Sequence, residues 1–183
     1  QRLSAPPPVN LDLSGPWRFQ TDPEGRLSGE TVSAVGFEAE GWREITVPGM
    51  WETQLPDLAK YDGVAWYRKT FDVSPEALTE PLTVTLGAVD DEDMTYLNGR
   101  LLGHIGKDTN PTNYWEALRR YPIPAGLLRP GKNVLAVRVL DTYQGGGLPK
   151  KPVGVFAVSP RWINSFYLDA PDTLDDPYRY NRW

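Results

Sequence analysis

Apolar and polar residues alternate along several short segments of the chain. In the segment LTVTLGAV, Leu82, Val84 and Leu86 fall on one face, and the segment NVLAVRVLD alternates in the same way. A period of two residues predicts a half-buried β-strand, because successive side chains of a strand point to opposite faces. Strand-like runs also occur in WRFQ, ITVPGMWE and VAWYRKTFDV. The pattern therefore predicts many short strands.

Turn-forming residues separate these runs. The pair Asn98-Gly99 predicts a two-residue hairpin of type I′, which needs positive φ at both central positions. Helical signals are weak: Pro75–Glu80 is expected to form one turn, and Ile123–Gly131 a short helical turn. The 17 glycines and 18 prolines favour short elements over long helices. Together these features predict an all-β fold, an antiparallel β-sandwich or jelly roll.

Composition changes at the two ends suggest the domain boundaries. Residues 1–10 contain three consecutive prolines and are expected to form a flexible tail, and residues 11–169 to form the sandwich. The last strand is expected at Ser165–Asp169, followed by an aromatic strap at residues 170–183. Because the chain begins at Gln1 without a methionine, we expect a mature protein whose signal peptide has been removed, and hence a secreted or periplasmic location.

The charge and the scarce histidine exclude several classes of function. A net charge of −5 argues against a nucleic-acid partner, and no apolar run reaches the ~20 residues of a membrane span. With 1 histidine and 0 cysteines, the chain cannot form a zinc site of thiolates or of three histidines. His104 has no G-x-S-x-G motif to accompany it, so a Ser-His-Asp hydrolase is not expected.

Four consecutive acidic residues, Asp90 to Asp93, precede the hairpin. Their spacing does not fit an EF-hand loop, and alternation in a strand would place Asp91 and Asp93 on one side. At most two of the four could then serve one ion, so a calcium site would need carbonyl oxygens from other loops. A bracing role is the main prediction: Asp91 or Asp93 pairs with Arg68 or Arg138, which occupy polar positions among apolar residues.

Four stretches in order carry a family resemblance. GVAWYRKTFDV, LGAVDDEDMTYLNGRLLG, YPIPAGLLRPGKNVLAVRVLD and a following GGG resemble the N-terminal sugar-binding domain of glycoside hydrolase family 2 and the equivalent jelly-roll domain of sialate O-acetylesterase-like proteins. The resemblance covers roughly Leu11 to Val158 and implies the galactose-binding-like β-sandwich. It also implies a possible structural calcium, and a catalytic domain in a longer parent chain as partner. The hydrolase acids of that family lie in a (β/α)₈ barrel of ~250 residues, for which this chain has no room.

The resemblance and the loop chemistry together predict a sugar site. An aromatic ring can lie under the apolar face of a pyranose while polar side chains bind its hydroxyl groups. The resemblance places Asp108, and the loop carrying Tyr61 and Asp62, near the sugar; Trp17, Trp42 and Trp66 are expected in the core. The predicted ligand-binding residues come from three loops: Trp51, Tyr61, Asp62, Lys107, Asp108, Asn110, Trp115, Arg119 and Tyr143.

Three functions remain open on the sequence. The first is a non-catalytic carbohydrate-binding module that recognises an oligo- or polysaccharide. The second is a small glycoside hydrolase that uses a pair of carboxylates on the same fold. The third is a structural interaction domain of a larger glycosidase, which binds no sugar.

Overall fold

The structure, a computed structural model, describes residues 9–157. The predictions for the first eight residues, for the strand at 165–169 and for the strap at 170–183 lie outside the described residues. The strands and helices within residues 9–157 are, in chain order, β1 (Asn10–Asp12), β2 (Gly15–Thr21), α1 (Gly29–Val32), β3 (Arg43–Val47), β4 (Gly49–Met50), α2 (Trp51–Gln54), β5 (Gly63–Val73), β6 (Leu82–Gly87), β7 (Glu92–Leu97), β8 (Arg100–Ile105), β9 (Arg119–Pro122), β10 (Gly131–Asp141), β11 (Gly147–Leu148) and β12 (Gly154–Ala157).

The strands form two main antiparallel sheets. A six-stranded sheet has the order β3-β2-β5-β10-β7-β8, and a four-stranded sheet the order β1-β12-β6-β9. The short strands β11 and β4 pair separately. The longest pairing joins β10 to β5 over eleven positions, from Gly131 opposite Val73 to Asp141 opposite Gly63. This arrangement confirms the predicted antiparallel β-sandwich.

The main core lies between the two sheets. The alternating residues Leu82, Val84 and Leu86 of β6 are 5%, 0% and 0% exposed, and they pack with the inner faces of β2, β5 and β10. Burial of one face of each strand is what the period of two residues predicts. Trp17 and Trp66 are also buried, as is Trp42, in agreement with the prediction for these three tryptophans.

A second apolar cluster covers the outer face of the six-stranded sheet. It contains Trp66 and Tyr96 from the sheet, and Val32 and Trp42 from the segment that passes over it. Arg68 holds this segment in place, because its guanidinium donates to the carbonyl oxygens of Val32, Ala34 and Phe37 at 2.9, 3.0 and 2.9 Å. The prediction that Arg68 pairs with Asp91 or Asp93 is therefore wrong: backbone carbonyls are its partners.

The local predictions for turns were partly correct. Asn98 and Gly99 have φ of 48° and 86°, so the predicted hairpin joins β7 to β8 with positive φ at both positions. Residues Pro75–Thr79 form a 3₁₀ helix, close to the predicted single turn. Within residues 123–131, where a short helical turn was predicted, the Leu127 amide donates to the Pro124 carbonyl at 3.2 Å and closes a single turn.

Candidate functional site

The four acids at the start of β7 hold two loops: Asp90 and Asp91 precede the strand, and Glu92 and Asp93 begin it. We call residues 90–93 the acid run; the peptide bond between its first two residues is cis. Asp90 exchanges two backbone hydrogen bonds with Gly147, of 3.0 and 3.1 Å. The carboxylates of Asp91, Glu92 and Asp93 each accept hydrogen bonds from a different segment. Asp91 and Asp93 are both buried.

One of the two segments, residues 106–118, is here named the aromatic loop. Its start is fixed where the Lys107 amide donates to Glu92 at 3.0 Å. Farther along, the rings of Tyr114 and Trp115 meet edge to face with centroids 5.0 Å apart, and the Lys107 ammonium lies 5.7 Å from the Tyr114 ring centroid. Trp115 is 41% exposed. The loop therefore presents part of an indole ring to solvent in a supported orientation.

Arg119 supports the aromatic loop from inside the protein. Its guanidinium is 0% exposed and donates to the carbonyl oxygens of Tyr114 and Ala117 at 2.5 and 2.8 Å. The same group binds the Asp93 carboxylate at 2.7 Å and the Asp91 carbonyl at 2.9 Å. The prediction that Arg119 contacts a ligand is thus corrected: its donors are used within the fold, and its charge neutralises a buried carboxylate.

Asp93 connects the two sheets. Its Oδ2 accepts from Tyr121 of β9 at 2.8 Å and from Thr95 of β7 at 2.7 Å, while Oδ1 binds Arg119. The bracing role predicted for Asp93 is confirmed, but with a different arginine. Arg138, the other predicted partner, acts electrostatically on Asp22 on the outer face of the six-stranded sheet.

Polar side chains lie on the solvent side of the aromatic loop. His104 Nε2 and Asp108 Oδ2 are 3.1 Å apart, and this hydrogen bond lowers the pKa of the exposed Asp108 carboxyl. The backbone amide of Asn110 donates to the Gly106 carbonyl at 2.9 Å, so Asp108 and Asn110 belong to the same turn. An ionised carboxylate and an amide are suitable partners for hydroxyl groups.

Residues 142–147, the glycine loop, are the second segment held by acids. Asp91 Oδ2 accepts from the amide and the hydroxyl of Thr142 at 2.9 and 2.8 Å. Glu52 Oε1 accepts from the Gly146 amide at 2.8 Å. Asp141 Oδ1 accepts from the amide of Tyr143, whose ring is 71% exposed.

Close packing explains the glycines of this loop. A Cβ atom at Gly146 would lie 2.3 Å from Trp51 Cζ2 and 2.7 Å from Asp141 Cβ, and one at Gly147 would lie 2.7 Å from the Tyr67 hydroxyl. Gly147 also has a φ of 134°, which L side chains rarely adopt. The glycine run thus serves close approach to the sandwich, and the loop covers the groups beneath it.

Several carboxyl groups are gathered under the glycine loop. Burial raises the pKa of Asp90 to about 8, with added contributions from the hydrogen bond and charge of Asp91. Burial also raises the pKa of Asp141 to about 7, and the charges of Asp91 and Glu52 act in the same direction. Burial likewise raises the pKa of Glu52. These carboxyls favour the protonated state because solvent does not stabilise their charge.

The structure separates the nine predicted ligand residues. Lys107, Asp108, Asn110 and Trp115 lie on the aromatic loop, and the buried Arg119 follows it at the start of β9. Tyr143 lies on the glycine loop, next to the segment that carries Trp51, Tyr61 and Asp62.

Two members of the second group have internal partners. Trp51 is 0% exposed, and its indole donates to the Tyr61 carbonyl at 3.2 Å, so the expectation that Trp51 contacts a sugar is corrected. The Trp51 ring occupies the space next to Gly146 that a side chain at this position would need. The Tyr61 hydroxyl donates to the Val64 carbonyl at 2.7 Å. Sugar contact by the other residues stays a prediction.

Sequence reasoning missed the buried carboxyl pair of Glu52 and Asp141. These two residues are 89 positions apart by number, and no local pattern joins them. One signal was available: Asp141 ends a strongly alternating strand, and three consecutive glycines, which permit close approach of the backbone, begin four residues later. Tyr67 points inward from β5, and nothing in the sequence around it indicated that its hydroxyl group would lie near these carboxyls.

Three features outside the two loops complete the description of the site. Within residues 9–157, no three side chains of His, Cys, Asp or Glu are grouped as a metal site made of such side chains would need. No helix in that range is long and apolar enough to cross a membrane. A surface depression of about 540 Å³ lies between residues 78–82 and 123–128, and contains none of the nine predicted residues.

Comparisons with known proteins agree with this geometry. The family model described as the β-galactosidase second all-beta domain matches residues 41–144, more than half of the chain. The β-galactosidase of Arthrobacter sp. (strain B7) is 28% identical over 71% of this chain and 16% of its own length. The β-galactosidase of Vibrio cholerae serotype O1 is 22% identical over 86% of this chain and 16% of its own length. The chain thus spans about a sixth of the length of these curated relatives.

The fold is also shared with solved structures. A Bifidobacterium dentium β-glucuronidase, complexed with coumarin-3-O-glucuronide, superposes with a TM-score of 0.61 at 22% identity, covering 76% of this chain and 21% of that one. At this identity the likeness concerns the fold alone. The match of the family model and the shared sandwich lead to one conclusion: the chain belongs to the β-galactosidase second all-beta domain family, the β-sandwich domains typical of glycoside hydrolase family 2.

Proposed function

We propose that this chain is a non-catalytic carbohydrate-binding domain of a glycoside hydrolase of the β-galactosidase or β-glucuronidase type, acting outside the cytoplasm. The observation that carries the proposal is the partly exposed Trp115 ring on a loop that a buried arginine holds in place. The relatives support the class of parent protein, because the family is an all-β domain of enzymes about six times longer than this chain.

The aromatic loop has the two kinds of group that bind a sugar. The Trp115 ring, supported at one edge by Tyr114, offers an apolar surface to the C–H face of a pyranose. The Asp108 carboxylate and the Lys107 ammonium are exposed on the same loop and can bind hydroxyl groups or, in the case of the ammonium, an acidic sugar. Since Arg119 fixes the loop carbonyls before any ligand arrives, little loop ordering opposes binding.

The described carboxyl groups favour binding over hydrolysis. A retaining glycosidase needs two carboxyls about 5–5.5 Å apart that both face the substrate, and an inverting one needs a wider gap. Glu52 and Asp141 instead each accept from an amide of the glycine loop, and the other oxygen of each is shielded from solvent. This pair of carboxyls therefore does not face a substrate.

The test is affinity electrophoresis of the 183-residue chain against a polysaccharide panel, followed by calorimetry with the best ligand and with β-galactosides and β-glucuronides. We expect retardation without product release. Trp115→Ala and Asp108→Ala should each weaken binding by ~1–3 kcal/mol, the range for losing an aromatic or polar contact.

Matched controls distinguish this site from general surface effects. Leu101→Ala removes an apolar side chain that is 39% exposed on β8, and Asp72→Ala removes an exposed acid on β5; both should leave affinity unchanged. Unchanged affinity in both loop variants would remove the aromatic loop from the site. Release of reducing sugar would favour the hydrolase, and no retardation on any glycan would favour a purely structural domain.

A further inference from the structure

Three buried oxygen atoms beneath the glycine loop have no hydrogen-bond partner within the described part of the chain. They are Glu52 Oε2, Asp141 Oδ2 and the Tyr67 hydroxyl oxygen. Asp141 and Tyr67 are 1% and 0% exposed. A buried polar group without a partner costs free energy, and a buried ionised carboxylate costs more. If every acid here were ionised, these buried oxygen atoms would lack a hydrogen-bond donor.

One proton on this pair of carboxyls can supply the missing donor. Glu52 and Asp141 both lie against Gly146: Glu52 Oε1 accepts from the Gly146 amide at 2.8 Å, and a Cβ atom at Gly146 would lie 2.7 Å from Asp141 Cβ. Two ionised carboxylates have only acceptor atoms, so neither of the two oxygens without a partner can satisfy the other unless one of them carries a hydrogen. One hydrogen shared between Glu52 and Asp141 supplies the missing donor.

We propose that Glu52 and Asp141 share one proton, that this proton holds the glycine loop of residues 142–147 onto the sandwich, and that its loss releases the loop. The proposal concerns a proton-linked movement and does not depend on sugar binding.

The contacts explain why the proton acts on the loop. The second oxygen of Glu52 accepts from the Gly146 amide at 2.8 Å, and the second oxygen of Asp141 accepts from the Tyr143 amide at 3.1 Å. The two carboxyls that share the proton are thus the two that grip opposite ends of the loop. When both are charged, their repulsion separates the groups to which the loop is bound.

The surroundings make the proton necessary. The charges of Asp62 and Asp91 act on this pair, and Asp90 lies near enough to feel both members. The Tyr67 phenol beside them is neutral, since burial and the charge of Glu52 raise its pKa. Arg119 reaches only the backbone oxygen of Asp91 and binds another carboxylate. The pair is therefore surrounded by acids.

The direction of the pH effect follows from the raised pKa values. In the closed form the pKa of Asp141 is about 7, whereas a loop open to solvent returns the carboxyl to an ordinary value near 4. Between pH 4 and 7, the closed form therefore holds a proton that the open form has released. The closed loop is most stable below about pH 4, and its stability falls as the pH rises from about 4 to 7. Above pH 7, Asp141 causes little further change.

Hydrogen exchange on the 183-residue chain tests the proposal. The rates of amides 142–147 would be measured from pH 5 to 8.5 and corrected for the intrinsic dependence of exchange on pH. We expect the corrected opening equilibrium of the Gly146 amide to rise about tenfold per pH unit between pH 5 and 7, as release of one proton requires. Amides in the middle of β10 should show no such slope.

Two conservative variants remove the need for the proton. Asp141→Asn keeps the acceptor for Tyr143 and places an NH₂ group against Glu52; Glu52→Gln does the same in the other direction. Each should reduce the slope between pH 5 and 7 by at least half and keep the loop closed at pH 7. The matched control Asp72→Asn, at an exposed acid of β5, should retain the wild-type slope.

The outcomes are decisive in either direction. A flat corrected exchange profile in the wild type, or a wild-type slope in both amide variants, overturns the proposal. Should neither variant fold, titration of the carboxyl carbons of the wild-type chain by NMR gives the answer: a midpoint near 7 for Asp141 supports it, and a midpoint near 4 overturns it.

Discussion

Residues of the acid run hold both the aromatic loop and the glycine loop, but the chemistry beneath the two loops is opposite. Under the aromatic loop, the Asp93 carboxylate meets the Arg119 guanidinium at 2.7 Å, and loop carbonyls use the remaining donors. Under the glycine loop, Asp141 lies close enough to Glu52 and Asp91 to be affected by their charges. Glu52 and Asp141 each have one oxygen without a donor. One anchor is an ion pair; the other depends on a proton.

The difference shows how neighbouring acids can serve two purposes. An arginine satisfies a buried carboxylate at any ordinary pH, because a guanidinium does not lose its proton in proteins. A carboxyl pair is satisfied only while a proton is present, so its strength follows the pH. The aromatic loop is thus expected to be rigid under all conditions, and the glycine loop to respond to its solution.

The largest expected effect comes from removing the cation. Arg119→Met leaves the Asp93 carboxylate buried without its ion pair, which should lower the free energy of unfolding by about 3–5 kcal/mol in urea titrations. Arg100→Met, at an exposed position of β8, should change it by less than about 0.5 kcal/mol. A loss below 1 kcal/mol at Arg119 would contradict the comparison drawn above.

A smaller effect is expected from adding one carbon to the glycine loop. In Gly146→Ala the new Cβ would meet Trp51 Cζ2 at 2.3 Å, and the indole has no free space to move into. Overpacking of this kind should lower stability by about 1–3 kcal/mol. Gly36→Ala is the matched control, since its Cβ would meet nothing within 4 Å and its stability should be unchanged or slightly higher. Equal stability of the two variants would argue against tight closure of the loop.

The smallest expected effect is a slope with pH. Because the folded chain holds a proton at Asp141 that the unfolded chain releases, Asp141 should lower the free energy of unfolding by on the order of 1 kcal/mol per pH unit between about pH 5 and 7. Asp90, whose pKa burial raises to about 8, should add a slope of the same sign. Asp141→Asn loses only the first contribution, so its profile in thermal or urea unfolding should be flatter than that of the wild type and still fall with pH. Parallel profiles for the wild type and Asp141→Asn would contradict the prediction, because they would show that the titration of Asp141 does not contribute to stability.

Periodicity and turn chemistry were sufficient to predict the sandwich. The alternation through Leu82, Val84 and Leu86, and the hairpin at Asn98-Gly99, are local features, and both are present in the structure. The acid run was interpreted as mainly structural, and in the structure Asp91 and Asp93 are buried and bind groups of the protein itself.

The partners across the fold were not predictable in the same way. Arg119 was assigned to the surface because it follows a polar loop, whereas the structure pairs it with Asp93, 26 positions away. Trp51 stands in a loop by sequence, and only the packing of the glycine loop explains its burial. Such contacts depend on which segments the sheet topology brings together, and a single sequence does not contain that information in local form.

The position of Arg119 and Asp93 at the base of the aromatic loop has a consequence for engineering. Arg119 holds the loop through the main-chain oxygens of Tyr114 and Ala117, which any residue type supplies, so exposed side chains such as Lys107, Asp108 and Trp115 can be replaced without removing these bonds. New aromatic or charged side chains could then be displayed on an unchanged base to alter what the surface recognises.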